Sequence, residues 1–524
     1  MKKGIQLVAL LLTVVMTSCT GGKDKAALKQ EDEKPRVKVA DVTARPVDQI
    51  QDYTATVEAE VKNKNNLATY FKEMWANILI GLLFVISGIF TTNIIIGIIG
   101  VMWVIAPYVN FYISKKISYE QKKISKQGKE ELIEIAQRTW NFFEDYLIEE
   151  NNYLPPDNYQ ESRDPKVVYR TSSTNIGLAL ISTISAYDLQ FINLEKCLKI
   201  LENIISTIKE LPKWNGHLYN WYDIKKLEPL RPMYVSTVDS GNFIGYVFVT
   251  KSFLKNIQNE IKDESNIEKI RLEVQYLEEL IADTNFKKLY DKQAGLLSIG
   301  FNIEENRLTM SYYDLLASEA RQASIIAIAK RDVPPEHWEN LSRTLTLMDG
   351  KKGLISWSGT AFEYLMPNIN IKKYTGSLLD ESCKFMLLSQ KKYCKKLNIP
   401  WGISESAFNL KDLNSNYQYK AFGIPWLGLK RGLADEIVVS SYGSVMALTE
   451  CPNDVMENIK KLKKYGIYDK YGLYESIDFT PERLGKDKKY EVVKTYMAHH
   501  QALILLSINN FINNNIIQKR FHQN

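Results

Sequence analysis

The chain has 524 residues, enough for one large domain or two or three smaller ones, so a sizeable core can be buried. Hydrophobic residues at 45% and charged residues at 24% exclude extended disorder. The net charge of +6 comes from 67 basic and 61 acidic residues scattered along the chain, which excludes the focused basic stripe of a nucleic-acid surface. Thirty Tyr and nine Trp exceed what packing alone usually needs, and flat amphipathic rings suit the stacking of sugars, although aromatic-rich helix packing accounts for part of them. Cys19, Cys197, Cys383, Cys394 and Cys451 have neither paired nor metal-like spacing. The adjacent His499 and His500 would point about 100° apart on a helix, so they are a poor pair of ligands for one ion. No disulfide framework, metal or other cofactor is expected.

Residues 1–19 read as a lipoprotein-type export signal: Lys2 and Lys3, an apolar run from Ile5 to Met16, then Thr17-Ser18-Cys19 at a lipobox-like site. Residues 20–66 form a polar linker in which VKVADVTARPVDQIQDYTATVEAEV resembles the opening of a periplasmic efflux adaptor, a membrane fusion protein. No lipoyl-like or coiled-coil body follows, as such an adaptor would need. From Ile78 to Ala106 no residue is charged, and the Thr91-Thr92-Asn93 break predicts a transmembrane hairpin of two short spans within 74–114. Lys72 precedes it, and Lys115 and Lys116 follow. The positive-inside rule then puts both ends in the cytoplasm. That disagrees with the export signal, so the first 65 residues read as joined to an unrelated gene. The expected location is the inner membrane, with the remainder of the chain in the cytoplasm.

Beyond Ser118 apolar residues recur at three- and four-residue spacing in about a dozen stretches. They include 129–148, 174–188, 194–210, 241–258, 266–283, 312–330, 376–397, 433–449 and 491–512. Strand-like alternation is nearly absent. Between the helices lie loops rich in Gly, Trp, Asn and Tyr, such as NGHLYNWYD, ISWSGTAFEYLMP and PWGISESAFN. An all-α (α/α)6 toroid over 118–524, with these loops forming a cleft at one end, fits the pattern.

Cleaving or moving a glycosidic bond generally needs two carboxyl groups. Asp239, Asp314, Glu319, Glu363, Glu405 and Glu475 all sit in glycine- and aromatic-rich loops, where a charge needs a purpose. Each has a plainer alternative. Glu319 would be an ordinary helix residue paired with Arg321, which could equally tune its pKa, and Asp239 would be a helix N-cap. Tyr219, Asn220, Trp221 and Tyr222 make a polar-aromatic cluster suited to a glycan, with Trp221 open to a core role. Trp357, Glu363 and Tyr364 carry the same double reading, while Glu475 and the His499-His500-Gln501 turn are candidates for sugar hydroxyl contacts. Tyr313, Asp314, Arg321 and Trp401 complete the candidate substrate-binding set.

The runs RTSSTNIGLALISTISAYDL (170–189), NGHLYNWYDIKKLEPLRPMYVSTVDSGNFIGY (215–246), YYDLLASEARQASIIAIAKRDVPPEHW (312–338), WSGTAFEYLMP (357–367), WGISESAFN (401–409), YQYKAFGIPWLGLKRGL (417–433) and KTYMAHHQALILL (494–506) resemble the central, glucoamylase-like domain of cyclic β-1,2-glucan synthases. The resemblance is dense from about residue 128 to the end. It implies a retaining transglycosylase that cyclises or rearranges linear β-1,2-glucan, with Glu405 at the position of the nucleophile and Glu319 at that of the general acid/base. Direct double displacement would need their carboxyls about 5–5.5 Å apart. It also implies that this chain is a fragment, since the glycosyltransferase and phosphorylase-like regions that flank the domain in that family are absent here. A β-1,2-glucan hydrolase and a catalytically silent glycan-binding remnant are the rival readings.

Overall fold

The structure, a computed structural model, describes residues 67–113, 124–161 and 165–524 and divides between residues 120 and 121 into two units. The expected export signal and adaptor-like linker lie outside the described residues. In the first unit three helices follow one another: α1 (Leu67–Glu73), α2 (Trp75–Phe90) and α3 (Ile94–Ile113). The turn between α2 and α3 is closed by short polar side chains. The Thr91 hydroxyl donates to the Ser87 carbonyl at 2.7 Å, and Asn93 Oδ1 accepts from the Ile95 amide at 3.1 Å. Phe84 meets Trp103 edge to face, and Leu79, Ile86, Ile94 and Ile98 stay exposed. The stretch Ile94–Tyr112 is long and apolar enough to cross a membrane, whereas α2 is shorter and bends 69° from α1.

The second unit alternates two kinds of helix. In chain order they are α4 (Lys126–Tyr146), α5 (Ser173–Asp188), α6 (Leu194–Glu210), α7 (Thr237–Gln258), α8 (Glu264–Asp283), α9 (Arg321–Ala329), α10 (Glu336–Asn340), α11 (Ala361–Leu365), α12 (Leu378–Lys396), α13 (Ser441–Val445), α14 (Pro452–Lys463) and α15 (Ala498–Ile512), with a short α16 (Ile516–Phe521) after them that packs on α7. Odd-numbered α5 through α15 are buried nearly all round and pack in a ring, α5 on α7, α7 on α9, α11 on α13, α13 on α15 and α15 back on α5. Arg321 closes the gap between α9 and α11 by donating to the Glu363 and Tyr364 carbonyls at 2.7 and 2.6 Å. Even-numbered helices such as α6 and α14 carry one apolar stripe and cover the ring from outside. This double ring is the (α/α)6 toroid.

Four of the six inner helices begin at Ser or Thr caps: Ser172, Ser236, Thr360 and Ser440 each accept a first-turn amide. Helix is shorter than its periodicity in three places. Residues 312–320, 433–440 and 491–497 precede α9, α13 and α15 without joining them. In the first, Leu315 and Leu316 are buried under a loop; in the others, Val438–Ser440, Glu491–Val493 and Thr495–Met497 are strands. The loops also hold small two- and three-stranded sheets. Strands this short offer no alternation to read. Among them, β1 (Ser406–Lys411) pairs with β2 (Tyr417–Lys420).

Candidate active site

The loops ahead of α9 and α11 and the turn ahead of β1 enclose a cavity of about 460 Å³, lined among others by Tyr313, Asp314, Ser318, Glu319, Trp357, Thr360, Glu363 and Glu405. Glu319 lies two residues before α9 and Glu363 in the first turn of α11, where unpaired amides and the helix dipole favour negative charge. The sequence dictates the turn that presents Glu405. Gly402 has φ +132°, and a Cβ there would lie 2.8 Å from the Ser440 carbonyl, so only glycine fits. Gln390 brackets Ile403, donating to its carbonyl at 2.7 Å and accepting its amide at 2.9 Å. The Ser404 hydroxyl accepts from the Phe362 amide, and the Tyr442 hydroxyl donates to the Glu405 carbonyl at 2.8 Å.

Both acids are half-buried, and among the described residues no cation makes an ion pair with either. Burial, reinforced by the neighbouring Glu363 carboxyl, pushes Glu319 up to about 7; the Ser318 hydroxyl donates to it at 3.2 Å. Burial also holds Glu405 well above the usual carboxylate range, and Glu319 and Glu363 add to the effect. A group that protonates a leaving oxygen near neutrality needs such an elevation. Tyr313 and Asp239 complete the electrostatic neighbourhood: the Tyr313 phenol is raised by burial, then by Glu319 and Asp239.

Asp239 is not the helix cap. Ser236 caps α7, and Asp239 sits in its first turn, accepting from the Thr174 hydroxyl at 2.6 Å, with burial raising its pKa. With its amide turned so that nitrogen faces acceptor and oxygen faces donor, Asn220 bridges the aromatic cluster to it, donating to Asp239 Oδ2 at 3.2 Å and accepting from Trp221 Nε1 at 3.3 Å. Trp221 is overlaid by the Arg170 guanidinium at 4.3 Å, and Tyr219 packs edge-on to Tyr222. Trp357 is 62% exposed at the cavity mouth.

Other candidates turn out to support the site from behind. Arg321 does not pair with Glu319; its guanidinium donates to the Ser318, Glu363 and Tyr364 carbonyls and to Asn368. Glu363 reaches the cavity wall, yet its carboxylate accepts from the Ser358 and Thr360 amides and the Ser356 and Thr360 hydroxyls as the acid of a capping box. Burial opposes its ionisation and these four donors favour it. Tyr364 is buried with its hydroxyl on the Leu354 carbonyl, and Trp401 is buried beneath the 402–405 turn, held by Asn458. Neither presents a surface to a sugar. Glu475, His500 and Gln501 are likewise enclosed, at 1%, 1% and 0% exposure, and lie outside the cavity lining. His499 packs edge-on to Phe362, with burial holding its pKa well below the usual histidine range. Tyr312, Ser318, Ser358 and Thr360 line the cavity without having been singled out in the sequence. The Thr360-x-x-Glu363 spacing was a readable capping signal.

Residues 311–524 match the glycoamylase family model, described as a putative glucoamylase. Over 90% of its length the chain is 30% identical to the cyclic beta-(1,2)-glucan synthase of Rhizobium meliloti (strain 1021), of which it spans only 21%. The resemblance carried by the sequence motifs is therefore real. Among solved structures, an endo-beta-1,2-glucanase from Talaromyces funiculosus, in complex with sophorose, superposes with a TM-score of 0.62 at 13% identity, covering 77% of this chain and 89% of that one. The endo-beta-1,2-glucanase from Chitinophaga pinensis, in a sophorotriose and glucose complex, does so with a TM-score of 0.59 at 14% identity, covering 76% and 95%. At these identities the likeness is one of fold.

Proposed function

We propose that the second unit is a retaining transglycosylase on β-1,2-glucan, cyclising or rearranging linear chains by double displacement. Glu319 protonates the leaving oxygen, Glu405 attacks the anomeric carbon to form a glycosyl-enzyme, and a hydroxyl of the same or another glucan, deprotonated by Glu319, takes the sugar. The observation that carries this reading is two half-buried carboxyls on one sugar-sized cavity, neither of them held in an ion pair among the described residues. Its substrate is supported by the name of the glucan synthase relative. Incubating the full chain with linear β-1,2-glucan and weighing the products tests it. Rings lighter by one water than the matching linear chains, or redistributed chain lengths, are expected. Shortened linear chains alone would mean that water is the acceptor; unchanged glucan would overturn the reading.

A second reading exchanges the two roles, since burial and neighbouring carboxyls raise both groups. Azide rescue of Glu405→Gly separates them. An α-glucosyl azide identifies Glu405 as the nucleophile, and a β-glucosyl azide identifies it as the acid/base. We further propose that α2 and α3 anchor the chain in the inner membrane with the catalytic unit on the cytoplasmic side, as Lys72, Lys115 and Lys116 favour. Protease digestion of intact spheroplasts would spare that unit if so.

A further inference from the structure

A half-buried nucleophile surrounded by other carboxyls needs a donor to hold it ionised, and the β1–β2 hairpin brings one. Ala407 of β1 lies opposite Tyr419 of β2, so Glu405, two residues before Ala407, falls on the same face as Tyr419. The Tyr419 side chain is 44% exposed, but its hydroxyl points inward, facing the Glu405 carboxylate on one side and standing 3.4 Å from His500 Nε2 on the other. Behind it His500 Nδ1 lies 2.7 Å from Glu475 Oε1. The same Glu475 oxygen accepts the Ala407 amide at 3.2 Å, which ties the row to the hairpin. Tyr442 stacks on the imidazole at 3.7 Å and 16° while its hydroxyl holds the Glu405 carbonyl.

We propose that Glu475, His500 and Tyr419 form a hydrogen-bonded relay that orients Glu405 and stabilises its ionised form. Tyr419 touches the reacting carboxylate; His500 and Glu475 are positioning residues that act through it. The logic follows from the count of hydrogens. When both imidazole nitrogens are protonated, Nδ1–H donates to Glu475 and Nε2–H to the Tyr419 oxygen, so the single phenolic hydrogen goes to Glu405. When Nε2 is bare, the phenol donates there and Glu405 loses its donor. The first arrangement holds one more proton than the second, and baring Nε2 releases it to solvent. The inference rests on Glu405 being the nucleophile.

The test is turnover of linear β-1,2-glucan by the full chain across pH, for Tyr419→Phe, Glu475→Gln and Glu405→Gln. Facing Glu405 are the carboxyls of Glu319, Glu363 and Asp239, the hydroxyls of Tyr419, Tyr442 and Tyr313, and the Lys430 ammonium. Loss of the Tyr419 donor removes an interaction that lowers the Glu405 pKa, so the acid limb of kcat/KM moves to higher pH. Tyr419→Phe is expected to lower kcat about tenfold or more, with KM within about twofold. Glu475→Gln shifts both in the same direction, and Glu475→Asp recovers part of the loss. If Glu475→Gln does not fold, Tyr419→Phe decides, since it keeps the ring in place. An inactive Glu405→Gln beside a Tyr419→Phe with normal rate and an unmoved acid limb would overturn the relay alone. An active Glu405→Gln would overturn the reading of the site and the relay with it.

Discussion

Two sets of carboxyls divide the large unit. Asp188 at the end of α5 and Asp478 in its short strand are each gripped by two nitrogens of one arginine, Arg520 at 2.6 and 2.8 Å and Arg483 at 2.7 and 3.1 Å. Glu319, Glu405 and Asp239 are half-buried and meet hydroxyls and one another. Arg321, two residues from Glu319, gives its donors to backbone carbonyls instead. The first set holds the fold together. The second opposes folding, and burial without a partner is how a site keeps acids near their working pKa.

If that division is right, the two sets respond oppositely to mutation. Arg520→Met strands Asp188 without a partner and should lower stability by about 3–5 kcal/mol in denaturant titration, leaving turnover per folded molecule unchanged. A loss below about 1 kcal/mol would erase the distinction. Glu319→Gln should act the other way. A carboxyl raised to about 7 in the folded state and ordinary in the unfolded one binds its proton more tightly when folded, so its contribution to stability is intact at low pH and declines as pH rises from about 4.5 to 7. The variant escapes that decline and should gain roughly 3 kcal/mol on the parent across this window, with no difference below it. Parallel pH–stability curves would contradict the shift. Trp357→Ala, at the exposed mouth, should raise KM for glucan about three- to tenfold and leave stability within about 0.5 kcal/mol. A stability loss of several kcal/mol there would make the tryptophan a packing residue.

The toroid was legible because most of its helices carry helix-period apolar residues over long stretches, although α11 is a five-residue helix inside a stretch that reads as a loop. What periodicity missed lies at the helix starts: residues 312–320 and 491–497 hold the same apolar spacing, but their side chains are buried by loops and strands. At the site, the motifs brought Glu319 and Glu405 onto one cavity, as the family resemblance implied. They could not separate residues that face the cavity from those behind its wall. Arg321, Tyr364, Trp401 and Gln501 occupy the same motifs, and only packing shows that Arg321, Tyr364 and Gln501 donate to backbone carbonyls while Trp401 is buried with its backbone held by Asn458. Tyr419 escaped for the converse reason. Its importance depends on cross-strand register with the residue after Ser406, which a hairpin of such short strands does not announce.

The account turns on two carboxyls sharing one task, and the rate on linear β-1,2-glucan of Glu319→Gln and Glu405→Gln, each checked for an intact fold, tests it most directly. Each should lose turnover by about a thousandfold or more, because both groups act chiefly in the transition state. A folded variant of either that retains turnover within about tenfold of the parent would contradict it.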